Sequence, residues 1–325
     1  MTGLMIAICL ESSHARGTGH LFRGLNLIEF LSAKEIAYRL IVNEDPNTHL
    51  LLKKKGIPFE TADFKDLTSN WETRIIQKHR ITLWWNDRME TLPAHSKFVK
   101  QNGIPLVTLD DAGKGAELAD LHIAPLILSE SRAPAGKQVL TGVEYMVLNP
   151  AIDRCKRLRE KRQSILVTMG GSDTYGMTQV VFRCLKELDI PATLHIGPSF
   201  RGENELYEEA GEDYPILSST PSLVATMADF DLAITGGGIT PFEANASGLP
   251  CLIISGENHE RQNCKYLERI GSSIYLGHRD QIDSHRLKTC LEKLDIRSMS
   301  QAGMTHITTR GLENIWKHIE PLIYG

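Results

Sequence analysis

The feature that most constrains the fold is a regular alternation of short apolar runs with longer segments of helical spacing. The apolar runs are residues 4–10, 39–42, 81–85, 105–109 and 121–124 in the first half, and 164–168, 192–196, 232–235, 251–254 and 273–276 in the second. The helix-length segments are residues 21–33, 46–55, 93–102, 176–188, 221–228, 241–247, 260–270 and 311–323. Strands that alternate with helices form parallel sheets covered by helices on both faces. The chain is therefore predicted to be an α/β protein with doubly wound sheets.

A strongly basic segment separates two blocks of this alternation. Residues 153–163 contain the basic side chains Arg154, Lys156, Arg157, Arg159, Lys161 and Arg162. A run of like charge is usually a solvated face or a linker, so we place a domain boundary there. The prediction is two Rossmann-like domains, residues 1–150 and 151–325, that face each other across a cleft.

Composition excludes several classes of protein. The 325 residues are 42% hydrophobic and 23% charged, which is usual for a soluble globular chain. A formal charge of -4 gives no electrostatic reason to expect binding to nucleic acid. The apolar run 4–10 lacks a basic segment before it and is too short to cross a bilayer, so we expect a cytoplasmic protein without an integral membrane segment. The six scattered cysteines are expected to be reduced structural thiols.

Three glycine-containing turns follow predicted strands, at residues 15–20, 169–173 and 235–243. Glycines let backbone N–H groups approach an anion closely, and a helix N-terminus adds positive potential. In the third turn Thr240 is the predicted N-cap of the following helix, with Glu243 three residues later. Ligands of open α/β sheets lie outside the carboxyl ends of the strands. The turns therefore predict one nucleotide-type ligand.

Two common nucleotide-binding motifs are absent. Phe22 follows Gly17 and Gly19 where the dinucleotide fingerprint G-x-G-x-x-G needs its last glycine, and Gly24 comes too late. This disfavours a nicotinamide-dependent dehydrogenase. The chain has no Walker A sequence, which disfavours an ATP-hydrolysing P-loop protein.

His20 is the residue best suited to acid–base chemistry. It follows a glycine turn and precedes a helix, and an imidazole titrates near neutral pH, which suits a general base. His20 could instead cap its own helix or bind phosphate without proton transfer. Arg23 lies one turn later on the same helical face. It is expected to contact a phosphate or a carboxylate, or else to be an exposed partner of Glu29.

Carboxylates follow two predicted strands. Asp110 and Asp111 end the run 105–109, and Asp87 ends the strand that includes Asn86. Adjacent residues of a strand point to opposite sides, so Asp110 and Asp111 cannot act together as a paired acid and base. One of the two is expected to orient His20 or bind a sugar hydroxyl, while the other caps the following turn. We take Asp87 and Asp111 as catalytic candidates beside His20.

Four segments, in this order, resemble the nucleotide-sugar enzymes of the glycosyltransferase-B fold. They are Gly17-Thr18-Gly19-His20 with Arg23, Leu109-Asp110-Asp111, Met169-Gly170-Gly171-Ser172-Asp173, and Gly236-Gly237-Gly238-Ile239-Thr240-Pro241-Phe242-Glu243. Within this group the chain is most similar to the UDP-sugar hydrolase of the pseudaminic-acid pathway and to relatives named for spore-coat polysaccharide biosynthesis. The resemblance implies a UDP-sugar bound mainly by the C-terminal domain. It implies no cofactor, and no metal, since amides and helix dipoles offset the phosphate charge.

The resemblance also implies the ligand contacts. The UDP or phosphate contacts are Gly17, Gly19, Gly170, Gly171, Ser172, Gly237, Gly238, Ile239, Thr240 and Glu243, of which Glu243 accepts hydrogen bonds from ribose hydroxyls. The sugar contacts are Arg23, Asn86, His259, Gln262 and Asn263.

One segment departs from the hydrolase pattern. The hydrolases have an Asp-His-Tyr-type segment where this chain has Asn86-Asp87-Arg88. Three functions are therefore weighed. The first is hydrolysis of a UDP-linked 6-deoxy diacetamido sugar on the way to a nonulosonic acid of the pseudaminic type. The second is sugar transfer to a polysaccharide, lipid or protein acceptor, and the third is nucleotide-sugar binding without turnover.

Overall fold

The computed structural model describes residues 3–12, 19–126, 133–171, 173–197, 200–218, 220 and 222–324. The chain forms two compact units, Met1–Val147 with Arg310–Gly325, and Leu148–Thr309. The first boundary lies close to the predicted one. The predicted second domain was wrong at its end, because the C-terminal helix Gly311–Tyr324 belongs to the first unit.

The first unit contains a parallel sheet of seven strands in the order β3-β2-β1-β4-β5-β6-β7. The strands are β1 Met5–Leu10, β2 Ala37–Val42, β3 Phe59–Thr61, β4 Leu83–Asp87, β5 Leu106–Leu109, β6 Leu121–Ala124 and β7 Gln138–Thr141. The helices before residue 148 are α1 Gly19–Ala33, α2 Pro46–Lys54, α3 Trp71–His79 and α4 Pro93–Lys100. The predicted alternation is thereby confirmed, although β3, β7 and α3 were not predicted from the sequence.

The second unit contains a parallel sheet of six strands in the order β10-β9-β8-β11-β12-β13. The strands are β8 Ile165–Thr168, β9 Thr193–Ile196, β10 Ile216–Ser218, β11 Leu232–Gly236, β12 Cys251–Ser255 and β13 Ser273–His278. The helices are α5 Ile152–Cys155, α6 Met177–Glu187, α7 Glu203–Ala210, α8 Leu223–Met227, α9 Thr240–Ala246, α10 Glu260–Arg269, α11 Ser284–Leu291 and α12 Ile296–His306. The C-terminal helix is α13.

Strand β1 is buried on both faces, which explains its continuous apolar sequence. Ile8 lies in one core with Leu21 of α1, and Cys9 lies in the core on the other face with Trp71 of α3. Successive side chains of a strand point to opposite faces, so neighbouring residues reach different cores. This arrangement brings helices to both sides of the sheet and leaves the carboxyl ends of its strands for polar residues.

Helix α13 joins the first unit through its apolar side chains. Ile315, Trp316 and Ile319 are buried in the same core as α1, and the rings of Phe30 and Trp316 lie 5.8 Å apart in an edge-on arrangement. Local sequence cannot reveal this placement, because α13 is far from α1 along the chain. The core of the first unit is therefore built from both ends of the sequence.

The basic segment predicted to be a linker packs into the second unit instead. The side chain of Arg159 is fully buried, and its guanidinium donates to the backbone oxygens of Phe230, Met227 and Ser247. Burial lowers the pKa of Arg159 to about 10. Carbonyl oxygens thus replace the water that a solvated linker would have given this charge.

Two further predictions concern cysteines and membrane segments. Cys9 and Cys251 are buried in strands, and burial raises the pKa of each thiol to about 12. Among the described residues, no helix has the length and apolarity needed to cross a bilayer.

Candidate functional site

The candidate catalytic residues lie at the carboxyl edge of the first sheet. Strands β1, β4 and β5 are neighbours, so the ends of β4 and β5 bring Asp87 and Asp110 close together. Helix α1 begins at Gly19, and His20 and Arg23 lie one turn apart on it. Sheet order and helical spacing together place four polar side chains in one cluster.

The His20 ring is held by Asp87. His20 Nδ1 lies 2.6 Å from Asp87 Oδ1, and 15% of the His20 side chain is exposed. Burial raises the pKa of Asp87, but the charge of Arg23 and that of His20 outweigh burial and lower the pKa to about 2. Asp87 is thus a carboxylate beside an imidazole that keeps partial contact with solvent. The two catalytic candidates Asp87 and His20 are thus in contact, and their catalytic roles stay predictions.

Arg23 connects the cluster. Its Nε donates to Asp87 Oδ2 at 2.9 Å, its Nη2 donates to Asp87 Oδ1 at 2.5 Å, and its Nη1 donates to Asp110 Oδ2. The residue is only 5% exposed, so the alternative of an exposed partner for Glu29 was wrong. The guanidinium pairs with two carboxylates, and a sugar contact by Arg23 stays a prediction.

Asp110 and Asp111 have different partners, as the alternation of side chains required. Asp110 pairs with Arg23, whereas Asp111 Oδ1 accepts the backbone N–H groups of Thr91 and Gly113, each at 2.9 Å. Burial raises the pKa of both carboxyls. Of the two, Asp110 joins the His20 cluster and Asp111 caps a turn. The sequence predicts Asp111 as a catalytic candidate, but its described contacts include neither His20 nor Arg23.

Asn86 is occupied by buried protein partners. Its Oδ1 accepts from Trp84 Nε1 at 2.8 Å, and its Nδ2 donates to Thr91 Oγ1 at 3.2 Å. The residue is 2% exposed. A sugar contact by Asn86 would require these bonds to break, so its geometry favours a structural role.

The glycine turns of the second unit lie side by side at the carboxyl edge of its sheet. Gly170 has φ +79, and a Cβ added there would lie 3.1 Å from Thr240 Oγ1. A Cβ on Gly236 would lie 3.8 Å from the backbone oxygen of Met169. The structure therefore brings the turn at 169–171 against the start of α9. Gly171 is half-buried and Gly238 is exposed in this region.

The start of α9 differs from the prediction. The N-cap is Ile239, without a side-chain hydrogen bond, and Thr240 is the first helical residue. The predicted capping box of Thr240 and Glu243 was therefore wrong by one position. Glu243 lies in the first turn and is half-buried. Burial raises its pKa to about 7, although a hydrogen bond from the backbone N–H of Asn149 lowers it.

A carboxylate outside the predicted site residues lies beside the third glycine turn. Glu260 Oε2 accepts the backbone N–H groups of Gly256 and Glu257, at 2.7 and 3.1 Å. A Cβ on Gly237 would lie 3.0 Å from Glu260 Cβ and 2.9 Å from Cys264 Sγ, so only glycine fits there without a shift. The segment after β12 is therefore packed against this turn.

The predicted sugar contacts of the same segment differ in exposure. His259 is the N-cap of α10 and is half-buried, Gln262 is half-buried, and Asn263 is buried. Gln262 and Asn263 both interact with other groups of the protein. Gly17 and Ser172 lie outside the described residues. Gly19 is exposed at the first position of α1.

A threonine–histidine pair supports the turn at 169–171. Thr168 Oγ1 accepts the N–H of Gly170 at 3.3 Å and lies 2.9 Å from His195 Nδ1. Burial lowers the pKa of His195, because it disfavours the charged ring. The sequence places Asp110 and Asp111 at one strand end and predicts that one of them orients His20, but it does not indicate that this residue is Asp110. Within the described ranges no group of three or more His, Cys, Asp or Glu side chains is placed to hold a metal ion.

Comparison with known proteins gives relatives of low identity. No family model matches the chain. The spore coat polysaccharide biosynthesis protein SpsG of Bacillus subtilis is 27% identical over 180 residues, which cover 51% of this chain and 52% of SpsG. The chain thus spans about half the length of that relative. An N-acetylglucosamine transferase of Helicobacter hepaticus, named as acting between UDP-N-acetylglucosamine and a pyrophosphoryl-undecaprenol acceptor, is 23% identical over 309 residues and covers 84% and 82% of the two chains.

Solved structures show the same fold along nearly the whole chain. MurG of Acinetobacter baumannii has a TM-score of 0.68 at 15% identity, over 98% of this chain and 99% of that one. The spinosyn rhamnosyltransferase SpnG, complexed with spinosyn aglycone, has a TM-score of 0.62 at 15% identity, over 96% and 99%. These likenesses confirm that the chain has the glycosyltransferase-B fold and resembles the nucleotide-sugar enzymes that share it.

Proposed function

We propose that this protein is a glycosyltransferase that moves a sugar from a nucleoside diphosphate to an acceptor hydroxyl, with His20 as general base. The names of similar proteins support transfer, since they include an N-acetylglucosamine transferase and a rhamnosyltransferase. They favour the transferase alternative over the hydrolase that we placed first. The contact of His20 with Asp87 is the single observation that carries the proposal.

The protonation of this pair follows from its chemistry. The pKa of Asp87 is about 2, so its carboxylate is ionised near neutral pH and can only accept hydrogen bonds. Nδ1 of His20 therefore holds the proton that lies between them. In the neutral ring this leaves Nε2 with a lone pair, which is the state a general base requires.

The reaction then balances without a further reagent. The acceptor oxygen bonds to the anomeric carbon and its proton passes to His20 Nε2. The bond between that carbon and the phosphate oxygen breaks, and the nucleoside diphosphate leaves with the electron pair. Asp87 stabilises the imidazolium that forms, as the carboxylate of a catalytic triad does.

The nucleotide belongs to the second unit in this proposal. The backbone of Gly237, Gly238 and Ile239 would meet the diphosphate, and the adjoining turn at Gly170 and Gly171 would complete the pocket wall. Glu243 would accept from the ribose hydroxyls. We propose a UDP-sugar as donor, and we keep the cytoplasmic location as an expectation from the sequence.

Turnover assays separate the three functions. The protein is incubated with UDP-N-acetylglucosamine, other UDP-amino sugars or dTDP-sugars, and the release of free diphosphate is followed with and without lipid-linked or polysaccharide acceptors. Transfer predicts release that depends on the acceptor, whereas hydrolysis predicts release in water alone. Binding of UDP without turnover in any mixture would support the non-catalytic function and contradict the proposal.

A matched pair of histidine variants tests the role of His20. His20→Ala should lower kcat about 10²- to 10⁴-fold, the usual contribution of a general base. His79→Ala is the control, because the side chain of His79 is buried to about the same extent as that of His20. It pairs with the carboxylate of Glu60, away from this cluster. Equal activity of His20→Ala and the wild type would exclude His20 as the base.

A further inference from the structure

We infer that Arg23 and Asp110 are positioning residues, which hold Asp87 and His20 in the geometry and protonation state that the reaction needs. This inference rests on the proposed role of His20 as general base. Neither residue needs to touch the substrate. Each would act through the carboxylate that contacts His20.

The guanidinium of Arg23 fixes the Asp87 carboxylate in its plane. Nε and Nη2 of Arg23 contact the two oxygens of Asp87, which is the bidentate arrangement that a guanidinium favours. Oδ1 of Asp87 therefore serves both Arg23 Nη2 and His20 Nδ1. Rotation of this carboxylate would break three contacts together, so the His20 ring receives a fixed acceptor.

The same geometry selects one tautomer of His20. Arg23 Nη2 lies 3.2 Å from His20 Nδ1, and both nitrogens carry protons when Nδ1 donates to Asp87. Two donors do not bond to each other, but both can point at the one carboxylate. If the ring turned so that Nε2 faced Asp87, the nitrogen that accepts the proton would no longer lie on the exposed side of the ring.

Asp110 fixes the other end of the guanidinium. Its backbone has φ +47, its N–H donates to the oxygen of Ile123 at 2.8 Å, and its Oδ1 accepts the N–H of Leu126 at 3.3 Å. Its Oδ2 accepts from Arg23 Nη1. Asp110 is thus anchored to the loop after β6, and Arg23 cannot swing away from Asp87 without losing this ion pair.

The buried charges of the cluster are unequal in number. Asp87 and Asp110 are each 1% exposed, and Arg23 is 5% exposed. With both carboxylates ionised, the one guanidinium leaves one negative charge in excess while His20 is neutral. That excess disappears when His20 is protonated. In a poorly hydrated site such compensation is stronger than in water, so removal of Asp110 should weaken His20 as a base.

A purely structural bridge would behave differently from a positioning pair. Loss of a structural ion pair would lower the free energy of unfolding and the amount of active enzyme, but it would leave the titration of His20 unchanged. The discriminating measurement is therefore the His20 ring itself. Nitrogen-15 NMR of the histidine side chains, in protein without ligand, reports both the tautomer and the pKa of His20.

The test compares Asp110→Asn with Asp120→Asn. Asp120 accepts from the N–H of Leu106, the first residue of β5, and pairs with Lys100, whereas Asp110 follows the last residue of the same strand. In Asp110→Asn the pKa of His20 should fall by about one unit, because a negative charge is lost nearby. The acid limb of the kcat/KM profile should move to lower pH by the same amount, with kcat about tenfold lower. In Asp120→Asn the His20 titration should match that of the wild type.

Arg23→Lys is the second variant, which keeps the charge but loses the planar fork. The Nε2–H tautomer of His20 should increase in its NMR spectrum, and kcat should fall more than KM rises. An unchanged His20 tautomer and pKa in both folded variants would overturn the inference. Because these spectra need no substrate, they test the inference even if His20→Ala retains full activity and the proposed function fails.

Discussion

Asp110 and Asp111 are neighbours in sequence, yet one carboxylate pairs with Arg23 and the other accepts the N–H groups of Thr91 and Gly113. The two roles predict different consequences of mutation. Asp111→Ala leaves the buried N–H group of Thr91 and the half-buried N–H group of Gly113 without their acceptor. We expect the free energy of unfolding to fall by about 2 kcal/mol, the usual cost of unsatisfied buried groups. Urea denaturation measures this loss, and an unfolding free energy equal to that of the wild type would contradict the capping role.

Asp87 should make stability depend on pH in the acid range. Its pKa falls from 3.8 to about 2, so its contribution is present above pH 4 and disappears as the pH falls through 2. The difference in unfolding free energy between the wild type and Asp87→Asn should therefore narrow by about 2 kcal/mol between pH 5 and pH 2. Denaturant titrations at several pH values measure it. The exposed residue Asp63 gives the control variant Asp63→Asn, and a difference independent of pH would show that Asp87 is not held ionised by its partners.

Glu243 should make the stability of the folded state depend on pH in the opposite direction. Its pKa rises from 4.5 to about 7, so the folded state loses stability as the pH rises from about 4.5 to about 7. Glu243→Gln, which cannot ionise, should unfold like the wild type near pH 4 and be more stable at pH 8.5 by about 2 kcal/mol. Calorimetry of UDP binding on the same variant tests the ribose contact separately. Equal stability of the two proteins at pH 8.5 would show that the pKa of Glu243 is not raised in the folded protein.

Gly237 and Gly238 form a natural pair of test positions. A Cβ at Gly237 would lie 2.9 Å from Cys264 Sγ, whereas at Gly238 the nearest atom is Glu260 Oε1 at 3.9 Å. Gly237→Ala should lower the free energy of unfolding by about 1–3 kcal/mol because of overpacking. Gly238→Ala should stay within about 0.5 kcal/mol of the wild type. The opposite ranking in thermal or urea denaturation would show that α10 does not pack on this turn.

The sequence predicted the elements well where their signals are local. The continuous apolar runs of β1, β4, β11 and β12 and the glycine turns after β8 and β11 correspond to the structure. Which of Asp110 and Asp111 joins the His20 cluster could not be predicted in the same way, because it depends on β4 and β5 being neighbours and on the spacing of His20 and Arg23 along α1. The position of α13 depends on contacts between distant segments for the same reason.

Predictions from local sequence also failed where tertiary packing determines the structure. The basic segment around Arg159 has the composition of a linker, but backbone oxygens of the second unit bind this guanidinium. Thr240 has a favoured N-cap side chain, yet Ile239 occupies the cap. Asn86 has a polar side chain at a strand end, yet this side chain forms hydrogen bonds with buried residues of the protein. Sequence patterns identified the carboxyl edge of the first sheet, but they did not show which of its side chains remain free to contact a ligand.

The placement of α13 has a consequence for synthesis on the ribosome. The second unit is one uninterrupted stretch, Leu148–Thr309, whereas the first needs Arg310–Gly325 to complete its core. Domains generally fold as units while the chain emerges. The part that is translated first is thus the last to be finished, because Trp316 fills its core only after the whole second unit has been made. A nascent chain stalled before residue 310 would expose the apolar surface of α1 that α13 normally covers.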